Sequence, residues 1–184
     1  AEGASGNPQG AIYPLLHQPD DLLSQFFIAA FQFCRQLLCD INSHTRFQHD
    51  WCGVLLKTID EKSAQKHKAI LDAGFPSELI EENAEGVLFP QGGWVVPAEL
   101  VKTLFQLSSQ KGLLKQHKNC KIVSLHKNEC RWELKNKEGN VWSAAQVVLA
   151  NGVNVTMFEQ TTSLPITPMR GQISTLQASE YDAI

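Results

Sequence analysis

The most constraining feature of the sequence is a run of apolar residues at helical spacing in its first quarter. Between residues 22 and 38 apolar side chains recur at steps of three and four, which is the repeat of an amphipathic helix. Asp20 and Asp21 precede the run and supply an N-cap and a negative charge at the helix start. The pattern predicts a helix over 22–39 of about five turns, and we interpret its aromatic side chains as core.

Strand and helix patterns alternate along the rest of the chain. Further helices are expected at 60–68 and at 97–111, the second beginning with Pro97 and ending at Gly112, which are favoured positions for these residue types. Strands are expected at 50–59, 87–89, 94–96, 121–125, 131–135, 141–142, 147–150 and 172–176. The unbroken apolar run at 147–150 is typical of a strand in a parallel sheet covered on both faces. The sequence therefore predicts a mixed α/β (α+β) fold without internal repeats.

Charge and targeting signals exclude several classes of protein. Sixteen basic and nineteen acidic side chains give a formal net charge of −3, so no basic excess indicates nucleic-acid binding, although a local patch fits this total. The longest apolar runs are shorter than the ~20 residues of a membrane span, and the N-terminus lacks a signal-peptide pattern. Five cysteines without CxxC spacing are typical of free thiols. These patterns predict a cytoplasmic protein outside the membrane.

No motif identifies a catalytic side chain or a metal site. The sequence contains neither G-x-G-x-x-G nor G-x-x-x-x-G-K-[ST], so a self-contained dinucleotide or P-loop site is not predicted. The segment around Ser5 departs from the G-x-S-x-G nucleophile motif, because Asn7 replaces its second glycine and no strand precedes it. His44, His49 and Cys52 lack a second close pair of ligands, so we predict no metal there.

Three glycine-centred loops remain as candidate ligand sites. Residues 4–7 offer backbone N–H groups and a hydroxyl to a phosphate. Residues 91–94 allow a backbone to approach a flat ligand closely, beside Trp94. Residues 150–152 follow a predicted buried strand, where open α/β sheets bind ligands. Each loop also fits a structural role, as an ordinary loop, a hairpin turn or a strand exit, so none of them decides the function alone.

Taken in order, these loops resemble one family, the D-amino-acid-oxidase-like FAD oxidoreductases, which include glycine and sarcosine oxidases. Residues 4–10 resemble the second flavin-contacting loop of that family. Residues 147–152 resemble its late flavin-domain strand with an A-x-G-type turn, and residues 168–172 resemble its proline, arginine, glycine strand entry near the flavin ring.

A narrower resemblance concerns the C-terminal oxidoreductase module of bacterial bifunctional enzymes that make 5-methylaminomethyl-2-thiouridine in tRNA. Residues 10–16, 49–53 and 89–94 carry it, and it spans about 3–177. The resemblance implies FAD-dependent oxidation of the C–N bond of the carboxymethylaminomethyl group on the wobble uridine of tRNA, with release of glyoxylate. An N-terminal methyltransferase domain then uses S-adenosylmethionine to methylate the amine.

The resemblance also implies roles for individual residues. Those expected to contact FAD are Ser5, Gly6, Asn7 and Gln9 at its phosphates or ring, Ile122 at its adenine, and Ala150 and Gly152 along the dinucleotide. Those expected to border the flavin ring and the substrate are Gly93, Trp94 and Arg170. No catalytic acid or base is required, because the cofactor carries the redox chemistry.

The same resemblance predicts the domain organisation. Residues 1–41 and 97–163 would belong to the flavin domain, and residues 42–96 and 164–184 to a substrate domain with an antiparallel sheet. The first nucleotide-binding βαβ unit and the closing segment of the family have no counterpart here, so we expect a fragment with weak or absent flavin binding and no activity of its own. Two alternatives stay open, a glycine- or sarcosine-type amino-acid oxidase and a non-catalytic interaction domain.

Overall fold

A computed structural model describes residues 3–112, 114–169 and 171. The chain forms two compact units, Ala1–Leu114 and Lys115–Ile184. The first unit begins with a 3-10 turn at Gly3–Gly6. Its strands are β1 (Gly10–Ile12), β2 (His49–Asp50), β3 (Val54–Lys57), β4 (Glu81–Asn83), β5 (Gly86–Phe89) and β6 (Gly93–Val95), and its helices are α1 (Leu22–His44), α2 (Glu61–Asp72) and α3 (Pro97–Gln110).

Helix α1 begins where the sequence predicts and ends later. Asp21 is its N-cap and accepts a hydrogen bond from the backbone N–H of Leu23 at 3.0 Å. The interpretation of its aromatic stripe as core is right for Phe31, which is buried, and wrong for Phe26, which is exposed. By length and composition alone, with a mean hydropathy of 1.3, α1 could cross a membrane, and 17% of this stretch is buried in the chain.

Two antiparallel three-stranded sheets organise the first unit, with strand orders β1-β6-β2 and β3-β5-β4. The strand predicted at 50–59 is broken into β2 and β3 at Gly53, whose φ of +86° is left-handed and cannot continue a strand. The backbone N–H of Gly53 instead donates to the carbonyl of Gly92 at 3.0 Å. The sheets are therefore separate hydrogen-bonded ladders.

Each sheet of the first unit has its own core. Leu16, Ile70, Ile80, Val87 and Phe89 form one buried cluster around β5. Leu38, Ile41, Phe47 and Val95 form the other, with Leu100 and Leu107 of α3 packed against it. Helices α1 and α3 therefore share a core with β6. The division between flavin and substrate portions predicted for these segments stays a prediction.

The second unit is an antiparallel sheet followed by 3-10 turns. Its strands are β7 (Ile122–Asn128), β8 (Arg131–Asn136) and β9 (Val141–Ala144), in that order across the sheet. The strands predicted at 131–135 and 141–142 are confirmed, and they form a hairpin. The 3-10 turns are Gly152–Met157 and Glu159–Thr161. The strand predicted at 147–150 is wrong: among the described residues no strand pairs with this run. The strand predicted at 172–176 lies outside the described residues.

Candidate functional site

The register of one strand pair brings two predicted sites together in the first unit. The turn at Gly3–Gly6 is exposed and contacts α3, and the N–H of Asn7 donates to the carbonyl of Ala4 at 3.2 Å. Gln9 leads directly into β1, where Ala11 pairs with Trp94 and Ile12 with Gly93. The loop that carries Ser5, Gly6, Asn7 and Gln9 therefore enters the strand that pairs with Gly93 and Trp94.

The glycine at position 93 is explained by packing. A Cβ atom there would lie 2.1 Å from the carbonyl oxygen of Asp50 and 2.8 Å from a ring carbon of Trp51. Gly92 is similarly confined, because its Cβ would lie 2.9 Å from a methyl group of Val54. The N–H of Gly92 also closes a turn onto the carbonyl of Phe89 at 2.9 Å. These contacts account for both glycines without a ligand, and the predicted approach of Gly93 to a flavin ring stays a prediction.

An arginine that the sequence analysis did not single out ties α1 to this turn. Arg35 donates from Nη1 to Oε1 of Gln91 at 2.5 Å. Its guanidinium carbon lies 5.0 Å from the ring centroid of Trp51 and 5.9 Å from that of Phe31, which is within cation–π range. The indole N–H of Trp51 is buried, and the described residues give it no hydrogen-bond partner. Arg35 could have been identified from the sequence, because it is a charged residue on the core side of an amphipathic helix.

In the second unit, two of the predicted FAD contacts line one cavity. This cavity has a volume of about 460 Å³, and Ile122 and Ala150 are among its walls. Most of the other walls are apolar, and polar groups come from Cys120, Lys121, Asn151 and Asn154. A size of roughly 300–1,000 Å³ and apolar walls with a few polar groups are typical of cofactor pockets.

Gly152 lies next to this cavity, at the start of a 3-10 turn. Its φ is +59°, a left-handed conformation that favours glycine. A Cβ atom at this position would have no neighbour within 4 Å, so the backbone conformation and not crowding favours glycine here. Arg170, the remaining predicted site residue, lies outside the described residues.

Perturbed titratable groups occur away from the predicted site residues. Burial raises the pKa of the Cys34 thiol on α1. Hydrogen bonds from the backbone and side chain of Ser63 lower the pKa of Asp60, the N-cap of α2. Within the described part of the chain, no group of three or more His, Cys, Asp or Glu residues could hold a metal ion.

A family model for FAD dependent oxidoreductases matches residues 1–183 of the chain. The chain belongs to this family. The predicted family and its dependence on FAD are thereby confirmed.

One relative shows the narrower similarity. The tRNA 5-methylaminomethyl-2-thiouridine biosynthesis bifunctional protein MnmC of Aliivibrio fischeri is 40% identical over 98% of this chain. The match covers 28% of that protein, so the chain spans less than a third of the length of this relative. The predicted resemblance to the bifunctional tRNA-modifying enzymes is confirmed.

Two solved structures share the fold. A mutant of NikD, an unusual amino acid oxidase essential for nikkomycin biosynthesis, aligns with a TM-score of 0.60 and 14% identity over 84% of this chain and 42% of its own. The L-proline dehydrogenase from P. horikoshii aligns with a TM-score of 0.56 and 13% identity over 84% of this chain and 45% of its own. At these identities the likeness shows the fold alone, and it confirms the predicted oxidase-like fold with antiparallel sheets.

Proposed function

We propose that this chain is part of an FAD-dependent oxidoreductase that removes the carboxymethyl group from 5-carboxymethylaminomethyl-(2-thio)uridine at the wobble position of tRNA. The observation that carries the proposal is the 40% identity to MnmC across 98% of the chain. A similarity over 98% of the chain extends into both units.

The chemistry fits a site without an acid–base pair. When bound, FAD would supply a two-electron oxidation of the C–N bond that joins the carboxymethyl group to the amine, and hydrolysis of the oxidised product would give glyoxylate and the aminomethyl uridine. The protein's part is to hold the cofactor and the substrate amine in register. The described residues are suited to binding and orientation of this kind.

The second-unit cavity supports a binding role for the adenosine half of FAD. Ile122, Leu125 and Phe158 supply apolar walls on which a flat base can pack. Asn151 and Asn154 supply amides that can hydrogen-bond to ribose or phosphate oxygens. Ala150 lies on the cavity wall, and Gly152 follows it by two residues, which supports the proposal that both pass along the dinucleotide.

The first-unit residues support a role at the phosphates, the flavin ring and the substrate. Ser5, Gly6, Asn7 and Gln9 form an exposed or half-exposed loop with backbone N–H groups and polar side chains. Gly93 and Trp94 lie on the strand paired with the one that this loop enters. We propose that these two residues border the flavin ring and the substrate; the same role for Arg170 stays a prediction.

The partners proposed for this function are tRNA and a methyltransferase domain. The relative is bifunctional, and this chain matches 28% of its length, which leaves room in such a protein for an N-terminal domain that methylates the amine with S-adenosylmethionine. The five free cysteines accord with the cytoplasmic location that we propose for a tRNA-modifying enzyme.

A chimera tests the proposal directly. In it, this chain replaces the matched segment of the Aliivibrio fischeri protein, and FAD content and glyoxylate release are measured. We expect glyoxylate from tRNA that carries the carboxymethylaminomethyl group and none from the same tRNA transcribed without modification. Glyoxylate from free glycine or sarcosine, with none from the modified tRNA, would instead support the amino-acid oxidase alternative and reject the tRNA assignment.

A further inference from the structure

Helix α1 has two apolar faces, and the described residues cover only one of them. Its inner face contributes Phe31, Leu38 and Ile41 to the core. Its other apolar face is a line of exposed residues that we call the outer stripe. The outer stripe consists of Leu22, Phe26, Ala29, Phe33 and Leu37.

The outer stripe is a continuous surface. Its members follow one another at steps of four, three, four and four residues, which places them on one side of the helix along about 22 Å. Leu22 is 79% exposed, Phe26 64%, Phe33 69% and Leu37 42%. At a rotation of about 100° per residue, the stripe lies on the side of the helix opposite Phe31 and Leu38. The stripe therefore faces away from the core. A helix that is apolar on opposite sides is typical of a buried element.

The charges of α1 argue against a lipid surface as its cover. Helices that lie on membranes carry Lys and Arg along their polar face. The sole Lys or Arg of α1 is Arg35, and it is engaged with Gln91 and the ring of Trp51. The ends of the helix carry carboxylates instead, Asp21 at the start and Asp40 near the end, which would be repelled by anionic head groups.

The same carboxylates argue against a second copy of α1. An antiparallel pair of α1 helices would place Asp21 of one helix near Asp40 of the other. A parallel pair would place each carboxylate beside its own equivalent. Like charges meet in both arrangements, and such contacts disfavour association.

We propose that the outer stripe packs against another part of the oxidoreductase polypeptide, an aliphatic helix or sheet face bordered by Lys or Arg. The chain matches 28% of its bifunctional relative, so a protein of that kind contains further polypeptide that can form this cover. The carboxylates at the ends of α1 select basic side chains at the borders of the covering face. The proposal concerns assembly and does not require that tRNA is the substrate.

A co-expression experiment tests the proposal. The parts of the Aliivibrio fischeri relative outside the matched segment are co-expressed with the tagged 184-residue chain, and the amount retained with the tag is measured. The stripe variant is Phe26→Glu with Phe33→Glu. The control variant is Gln25→Glu with Gln32→Glu, which adds the same charge at exposed positions one residue earlier. We expect the wild type and the control to retain the partner and the stripe variant to retain at least about tenfold less.

Every other result contradicts the proposal. Retention that is equal in the two variants, or that is absent for the wild type, would show that the stripe does not bind this polypeptide. A wild-type dimer in sedimentation that the stripe variant abolishes would assign the surface to a second copy. Binding to phosphatidylglycerol vesicles that the stripe variant abolishes would assign it to a membrane. Loss of the folded circular dichroism spectrum in the stripe variant alone would show that the chain covers the stripe itself.

Discussion

Replacing Gly93 with alanine should lower the free energy of unfolding, because the position has no room for a Cβ atom. The added Cβ would lie 2.1 Å from the carbonyl oxygen of Asp50 and 2.9 Å from the Cα of Trp51. Both neighbours are backbone atoms, so no side-chain rotation can relieve the contact. Strands β2 and β6 must separate by about 1 Å for the Cβ to reach an ordinary contact distance, and overpacking of this kind costs about 1–3 kcal/mol.

The expected loss of stability for Gly93→Ala lies at the upper end of that range, about 3 kcal/mol. For a unit of this size, 1 kcal/mol corresponds to a shift in Tm of about 4 °C, so the Tm should fall by about 12 °C. The assay is thermal and urea unfolding followed by circular dichroism, in flavin-free protein. Removing the cofactor separates the packing effect from any effect on flavin binding.

Gly10→Ala is the matched control, because Gly10 lies in the same sheet and pairs with Val95 of β6. Its Cβ would meet a ring carbon of Pro97 at 3.4 Å, an ordinary contact, so we expect a change in the free energy of unfolding below about 1 kcal/mol. If both variants unfold at the same temperature, the close approach of β2 and β6 is not what requires glycine at position 93. Wild-type stability of Gly93→Ala would refute the packing argument outright.

In the chimera, Gly152→Leu should lower the amount of bound FAD several-fold. The control Gly139→Leu, which also changes a left-handed glycine with open space around it, should leave bound FAD unchanged. Equal amounts of FAD in both variants would show that Gly152 is not part of the flavin site. Arg35→Ala should lower the free energy of unfolding by about 2 kcal/mol, and a double-mutant cycle with Gln91→Ala should show coupling; additive effects would contradict a direct contact. The pKa of Asp60 in the folded chain is lowered from 3.8, so the ionised carboxylate should stabilise the fold fully above that value and lose its effect as the pH falls through the lowered pKa. The difference in Tm between wild type and Asp60→Ala should therefore shrink in acid. A difference that does not depend on pH would contradict this.

Local sequence signals predicted the elements that depend on local physics. Helix α1 begins at its Asp21 cap, and α3 begins at Pro97, because capping and proline preferences act within one turn of helix. The hairpin of β8 and β9 also formed where expected. The break at Gly53 was missed because an isolated glycine in an apolar stretch does not reveal the sign of its φ.

Contacts between distant parts of the chain were not predictable, and neither was a strand without an apolar pattern. Strand β4 is acidic and exposed, and it forms a hairpin with the next strand, β5. The contact of Arg35 with Gln91 joins residues 56 positions apart, and no periodicity signals it. The same holds for the candidate site. Its loops could be identified in the sequence, but the register that pairs β1, the strand after residues 5–9, with Gly93 and Trp94 could not.

The apolar run at 147–150 has a practical consequence for handling the protein. Val148 is 88% exposed, and this β-branched, uncharged stretch lacks a strand partner among the described residues. Segments with these properties template pairing between molecules. Concentrated solutions of the chain should therefore develop thioflavin-positive aggregates, and a gatekeeper charge such as Val148→Lys should delay them. An apolar run such as 147–150 suits a strand inside a larger sheet. In this chain, where the run is unpaired among the described residues, it favours precipitation.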